Sequence, residues 1–294
     1  MKIAFIQLGS WGDCCNSTLM FKPLLDKYKD AEIHVFTTTL YQSAFANNRY
    51  VKTINAHPCQ SKTQAFDLYN VVPKMVEQSG IYHKVFCPAP ILMAGKRNSL
   101  RHPELGENLW CSFLRALEED DVPYTMPPLA QIDLTASEIS NAQQWLNKIP
   151  KPSNKRVLME CVAESGQTYW NKTWCQEVTR FLLKRGHQVL ISCKDMAHAL
   201  GREIKNDLTS KGAIELSLPL RDCIHVFNHS DAFISISSGF CNACCSSAAK
   251  REIMWFEVVN DTTVSSRILR EDKGHYYYRN DMNGFIKLLG DNGL

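Results

Sequence analysis

Residues 231–256 read DAFISISSGFCNACCSSAAKREIMWF. Ala232, Phe233, Ile234 and Ile236 predict an apolar strand that runs into the turn Ser237-Ser238-Gly239. Very small residues follow, Ala243 to Ala249, predicting a helix, and residues 253–256 predict a second strand. Strand, Ser/Gly turn, helix and strand form a βαβ unit, which fixes an α/β fold class. The turn also carries chemistry. Serine hydroxyls cap helix starts, glycine lets backbone approach a ligand, and unbonded N–H groups with the helix dipole attract anions. The same residues fit a tightly packed unit whose small side chains only let helix and sheet approach. Both readings stay open at this point.

The same alternation fills the chain. Residues 2–8 predict a strand, and Gly9-Ser10-Trp11-Gly12-Asp13 the turn after it. A helix is predicted over 16–28 and a strand over 31–37, the opening of a parallel, doubly wound sheet. The turn is not a GxGxxG, so a dinucleotide fingerprint is absent. Helices at 40–47 and 63–78 alternate with strands at 51–54 and 83–87. The loop-like stretch 88–103 gathers Lys96, Arg97 and Arg101, either a solvated loop or a basic pocket for an anionic acceptor. Helices at 109–119 and 137–146 follow, and the proline-punctuated run 148–154 has linker composition. The domain boundary is placed there, giving domains 1–150 and 151–294. The second domain repeats the pattern: strands at 156–162, 188–192 and 214–218, helices at 173–185, 196–209 and 220–227. An aromatic and then helical tail, 274–289, is free to pack back on the first domain. Two open α/β domains in series predict a ligand-binding cleft between them.

Composition narrows the classes. The 294 residues carry 33 Lys+Arg against 30 Asp+Glu, a net charge of +3, too balanced to argue for nucleic acid or membrane on electrostatics. The N-terminus lacks the apolar core and cleavage site of a signal peptide, and no stretch approaches the length of a membrane helix. A soluble, cytoplasmic protein without an integral membrane segment is expected. The twelve cysteines are then expected as thiols. Cys241-x-x-Cys244-Cys245 supplies half of a tetrahedral zinc site without a second pair nearby, so no metal is expected.

Two stretches resemble a known family. Residues 2–38, KIAFIQLGSWGDCCNSTLMFKPLLDKYKDAEIHVFTT, are similar to the start of the bacterial heptosyltransferases, glycosyltransferase family 9, with Ser10-Trp11-Gly12-Asp13 at their Ser-x-Gly-Asp turn. Residues 218–257, LPLRDCIHVFNHSDAFISISSGFCNACCSSAAKREIMWFE, resemble the family's block around an Asp-Ser/Thr-Gly turn followed by His. The resemblance covers most of the chain in order, is specific at both ends and is vague from 61 to 152.

The resemblance implies a GT-B fold: two Rossmann-like domains facing a cleft, the first binding the acceptor and the second a nucleotide-diphosphate sugar. It implies inverting transfer to an acceptor hydroxyl without a metal or other cofactor, with Asp13 as general base. Ser10 and Gly12, with Lys96, Arg97 and Arg101, fall to the acceptor side. Ser237, Ser238, Gly239 and Asn242 fall to the donor, with Ser237 in place of the family's acid and Asn242 in place of its His. Gln167 and Thr168 occupy the place of a family basic residue, and Lys172 is the nearest cation. Glu215 is implied at the donor ribose or base, or else makes structural hydrogen bonds. The resemblance implies a carbohydrate or glycolipid acceptor. Two alternatives stand beside this reading: a GT-B enzyme glycosylating hydroxymethylated DNA bases, as in phage, or protein; and a non-catalytic sugar-nucleotide-binding or assembly protein.

Overall fold

Strand β1 (Lys2–Ile6) buries Ile3 through Ile6 completely. A parallel strand covered on both faces needs such an unbroken apolar run. In the computed structural model, which describes residues 1–88, 101–102, 106–107, 111–124, 129–162, 172–192, 199–236, 238–250, 252–258, 275–278 and 281–294, β1 lies between β2 (Glu32–Thr38) and β4 (Lys84–Phe86), and β3 (Val51–His57) flanks β2. All these pairs are parallel. Ala4, Ile6 and Leu8 pack with Phe36, Tyr69, Val72 and Val76 on one face. On Phe5, the Phe21 ring stacks edge-on at 4.9 Å. The short strands β5 (Arg101–His102) and β6 (Gly106–Glu107) pair antiparallel.

The helix predicted over 40–47 is only a 3₁₀ turn, Gln42–Phe45, and two longer helices differ from their sequence-predicted form. The first begins at Trp11, not near residue 16, and runs Trp11–Ser17, a 3₁₀ turn Thr18–Met20, then Phe21–Lys27. The early start follows from Ser10, extended at the N-cap, whose N–H is taken by the Asp13 side chain one turn on. The predicted 63–78 helix divides into Lys62–Asp67, Leu68–Asn70 and Val72–Gln78. In both cases a proline, Pro23 or Pro73, sits in the first turn after the break, where its missing N–H does no harm.

The chain divides into two units: Met1–Leu134 with Cys245–Ala248, and Thr135–Cys244 with Ala249–Leu294. The break precedes the 148–154 run read as a linker. The Ala136–Lys148 helix belongs to the second unit because Glu138 pairs there with Arg221 on the Leu220–Asn228 helix.

In the second unit, β7 (Arg156–Glu160), β8 (Gln188–Ser192), β9 (Ile214–Leu216), β10 (Ala232–Ile236), β11 (Met254–Val258) and β12 (His275–Tyr278) form one sheet in the order β12-β11-β10-β7-β8-β9. Every pair is parallel. Counted from β7 as the first strand, this is 6-5-4-1-2-3, the doubly wound order, whose reversal lies between β7 and β10. The helical tail packs within this unit: the Met282–Asp291 helix buries Phe285 and Leu289, with Phe285 against Trp174 and Phe256.

The small-residue helix also needs correction. After β10 the helix spans only Gly239–Ala243, and residues 244–249 form turns. Ser247 explains the departure. Its N–H donates to the Ala130 carbonyl at 2.8 Å, and its hydroxyl bridges the Ile132 N–H and carbonyl, each at 3.1 Å. These bonds tie Cys245–Ala248 into the first unit and draw the chain off the helix path.

Candidate functional site

The strand order of each unit marks where a ligand belongs. Open α/β sheets bind at the carboxyl ends of strands where the order reverses. In the first unit β1 is that strand, and the turn after it is held in an unusual way. Three successive backbone N–H groups each go to a different side chain. Leu8 N–H donates to Tyr69 Oη at 2.8 Å, Gly9 N–H to Gln7 Oε1 at 3.1 Å, and Ser10 N–H to Asp13 Oδ2 at 3.0 Å. The Tyr69 hydroxyl in turn donates to Gln7 Oε1.

Asp13 is the outcome of this turn. Its Oδ2 also accepts the Ser10 hydroxyl at 2.7 Å, while Oδ1 has no partner among the described residues. Burial raises its proton affinity above the ordinary carboxylate value of 3.8, against the opposing pull of the two Ser10 bonds and of Lys62. A carboxylate with one free oxygen and a raised pKa suits proton abstraction from a hydroxyl. Gly9 makes room for it: a Cβ there would stand 2.9 Å from Asp13 Oδ2 and 3.0 Å from Gln7 Oε1.

The other first-unit expectations resolve differently. Ser10 commits both its N–H and its hydroxyl to Asp13, and Gly12 is buried in the first turn of the helix. Asp13 itself is the third residue of that helix and not its N-cap. Lys96 and Arg97 lie outside the described residues, as does the side chain of Arg101. The cation that acts on Asp13 is one the sequence reading passed over. Lys62, half-buried at the start of its helix, lowers the Asp13 pKa through space and forms no ion pair among the described residues. A lysine following the helix cap Ser61 was the available signal.

In the second unit the reversal point brings together Ser238, Gly239 and Asn242 after β10, and Glu160 at the end of β7. Ser238 is the N-cap of the short helix. Its Oγ accepts the Cys241 N–H at 2.9 Å and donates to Glu160 Oε2 at 2.6 Å. Its hydroxyl proton is therefore occupied inside the protein. Behind it runs a buried polar row that the sequence reading missed. Ser235 pairs with Glu257, and Glu160 with Ser192, on neighbouring strands, and Trp255 Nε1–H donates to Ser235 Oγ at 2.7 Å. Glu160 and Glu257 end or interrupt otherwise apolar strands, which is how they could have been found.

Ser237, Gln167 and Thr168 lie outside the described residues. Lys172 is ion-paired to Glu203 on the Ala199–Ser210 helix, and Glu215, on the edge strand β9, accepts from Lys205 at 3.2 Å. Both charges have a local partner. Among the described residues, no group of three or more His, Cys, Asp or Glu could hold a metal ion, and no helix is long and apolar enough to cross a membrane.

No protein-family model matches the chain, and no curated protein matches it. Solved structures do. The chain is similar over 100% of its length to 89% of a glycosyl transferase family 9 protein from Veillonella parvula DSM 2008, with a TM-score of 0.71 at 11% identity. It is similar over 99% of its length to 98% of the Escherichia coli ADP-heptose LPS heptosyltransferase II, with a TM-score of 0.69 at 14% identity. Against the E. coli heptosyltransferase WaaC with ADP-2-deoxy-2-fluoro heptose, the TM-score is 0.64 at 10% identity, covering 100% of both chains. At these identities the likeness is one of fold, and that fold is GT-B, two Rossmann-like α/β domains.

Proposed function

We propose that the protein is a heptosyltransferase-like glycosyltransferase, moving a sugar from a nucleotide-diphosphate donor to an acceptor hydroxyl with inversion and without a metal. The observation that carries this reading is Asp13. It is a half-buried carboxylate at the carboxyl end of the first central strand, raised in proton affinity and free at Oδ1, in a chain of end-to-end heptosyltransferase fold. Asp13 Oδ1 takes the proton of the acceptor hydroxyl as its oxygen attacks the anomeric carbon in line. The bond from that carbon to the donor phosphate breaks, and the nucleoside diphosphate leaves.

Donor binding falls to the second unit, where the chain at Ser238–Gly239 leaves the reversal point of a six-stranded sheet. Ser238 acts there by holding the turn through Glu160. Lys62 supplies positive charge on the acceptor side. The acceptor class is a carbohydrate or glycolipid hydroxyl. Modified nucleic-acid bases and protein, weighed from the sequence, draw no support from neighbours whose names specify heptosyl transfer.

Thermal stabilisation by a panel of nucleoside diphosphates and nucleotide sugars tests the proposal. A ligand at about 100 times its Kd adds about 2.7 kcal/mol. Stabilisation by one nucleotide series, followed by nucleoside diphosphate release that Asp13→Asn abolishes, is the expected result. Indifference to every nucleotide would sink the transferase reading. Binding without turnover in the wild type would favour the non-catalytic alternative.

A further inference from the structure

Gln7 is completely buried, yet its Nε2 has no acceptor among the described residues. The orientation of its amide is fixed by its neighbours. Gly9 N–H points at one end, and the Tyr69 oxygen beside it already accepts the Leu8 N–H, so Tyr69 donates to the same end. Turning the amide over would set two N–H groups against each other, so the oxygen must lie there and Nε2 is left orphaned. An apolar side chain of similar volume would avoid that cost. Gln7 Oε1 is thus held at the one place where it serves the turn.

That place adjoins Asp13. The position a Gly9 Cβ would take is 3.0 Å from Gln7 Oε1 and 2.9 Å from Asp13 Oδ2. The Asp13 charge also reaches Tyr69, helping to push its hydroxyl well above its ordinary range, an effect led by burial. We infer that Gln7 is a positioning residue for Asp13. Through the Gly9 N–H, and braced by Tyr69, its carboxamide sets the turn that holds the half-buried Asp13 carboxylate in place with Oδ1 free. A role in the reaction rests on the reading of Asp13 as the base; the positioning itself does not.

The test follows the Asp13 carboxyl directly. Protein labelled with ¹³C at aspartate carboxyls is titrated by NMR, with the Asp13 signal assigned from its loss in Asp13→Asn. In Gln7→Met the Gly9 N–H loses its acceptor, water reaches the carboxylate, and the Asp13 midpoint moves down toward the ordinary value. The melting temperature falls as well, because the buried Gly9 N–H and Tyr69 hydroxyl both lose their acceptor. Tyr69→Phe shifts the midpoint the same way by less, and decides the matter if Gln7→Met does not fold. An unmoved midpoint in the folded variants overturns the inference, including when the melting temperature falls, since that marks a merely structural glutamine. Nucleoside diphosphate release is measured in parallel: full activity in Asp13→Asn would end the general-base reading while leaving the midpoint result to judge Gln7.

Discussion

Ser238 Oγ donates to Glu160 Oε2 at 2.6 Å across the point where the second sheet reverses its strand order, joining the end of β7 to the start of the helix after β10. The same oxygen caps that helix through the Cys241 N–H. One hydroxyl therefore holds together the two chain segments between which a doubly wound sheet places its ligand. Ser238→Ala removes a cap and one hydrogen bond to a buried carboxylate, and is expected to cost about 2 kcal/mol. Urea unfolding measures it. Ser238→Thr, which keeps the hydroxyl, retains most of the stability.

Asp13 sets activity and stability against each other. Because the folded state holds its proton more tightly than the unfolded chain, folding stability falls as pH rises from the ordinary carboxylate value through the folded one. Above that window the ionised carboxylate is a standing cost. Asp13→Asn is therefore expected to raise the melting temperature at neutral pH while lowering turnover about 100-fold or more. Turnover of the wild type should fail on the acid side at a pH above that of an ordinary aspartate. A melting temperature lowered by Asp13→Asn at neutral pH would contradict the argument.

Gly9→Ala tests the space beside that carboxylate. The new Cβ meets Asp13 Oδ2 at 2.9 Å and Gln7 Oε1 at 3.0 Å, so the side chain of Asp13 must move. A displacement of this size is expected to lower kcat by about 10- to 100-fold. Steady-state kinetics with the nucleotide sugar found by screening is the measurement, and wild-type kcat would refute it.

These predictions also show what could be read from the sequence. The strands were legible because a sheet covered on both faces demands apolar runs such as Ile3–Ile6 and Ala232–Ile234. The first helix start was not, because Ser10-Trp11-Gly12-Asp13 looks like a turn until Asp13 is seen to reach back to the Ser10 N–H. Periodicity says which face a residue takes, not what it meets. Gln7 and Tyr69 are separated by 62 positions, and Glu138 and Arg221 by 83. The partners of Lys172 and Glu215, Glu203 and Lys205, lie 31 and 10 positions away and were likewise not legible.

The pair of Glu138 with Arg221 carries a stability prediction of its own. The Arg221 side chain is 5% exposed and holds the Glu138 carboxylate at both oxygens, while Thr135 N–H caps it at 2.7 Å. Burial pushes the Glu138 carboxyl up, but the bonds to Arg221 and Thr135 outweigh it and hold the pKa below its ordinary value. This stability is present above the unfolded pKa and is lost as pH falls through the folded one. Glu138→Ala is expected to cost about 3 kcal/mol at neutral pH by denaturant unfolding, with a smaller cost under acid conditions.

His187 supplies the opposite kind of sensor. It is 4% exposed, neither ring nitrogen has a partner among the described residues, and burial with the nearby Lys155 and Arg185 lowers its pKa from 6.5. The unfolded chain takes up this proton first, so destabilisation sets in as pH drops below 6.5 and grows down to the folded pKa. His187→Phe is expected to flatten that part of the stability–pH curve. An unchanged curve between neutral and mildly acidic pH would count against it.

Ser247 has a bearing on how the molecule can be taken apart. Because its three hydrogen bonds make Cys245–Ala248 a stitch in the first unit, neither unit corresponds to one uninterrupted stretch of gene. A fragment ending at Leu134 lacks four of its own residues, and a fragment beginning at Thr135 carries them with nothing to bind. Halves expressed separately should be poor folders, and they should recover when co-expressed, by complementation through a tetrapeptide that one half lends to the other.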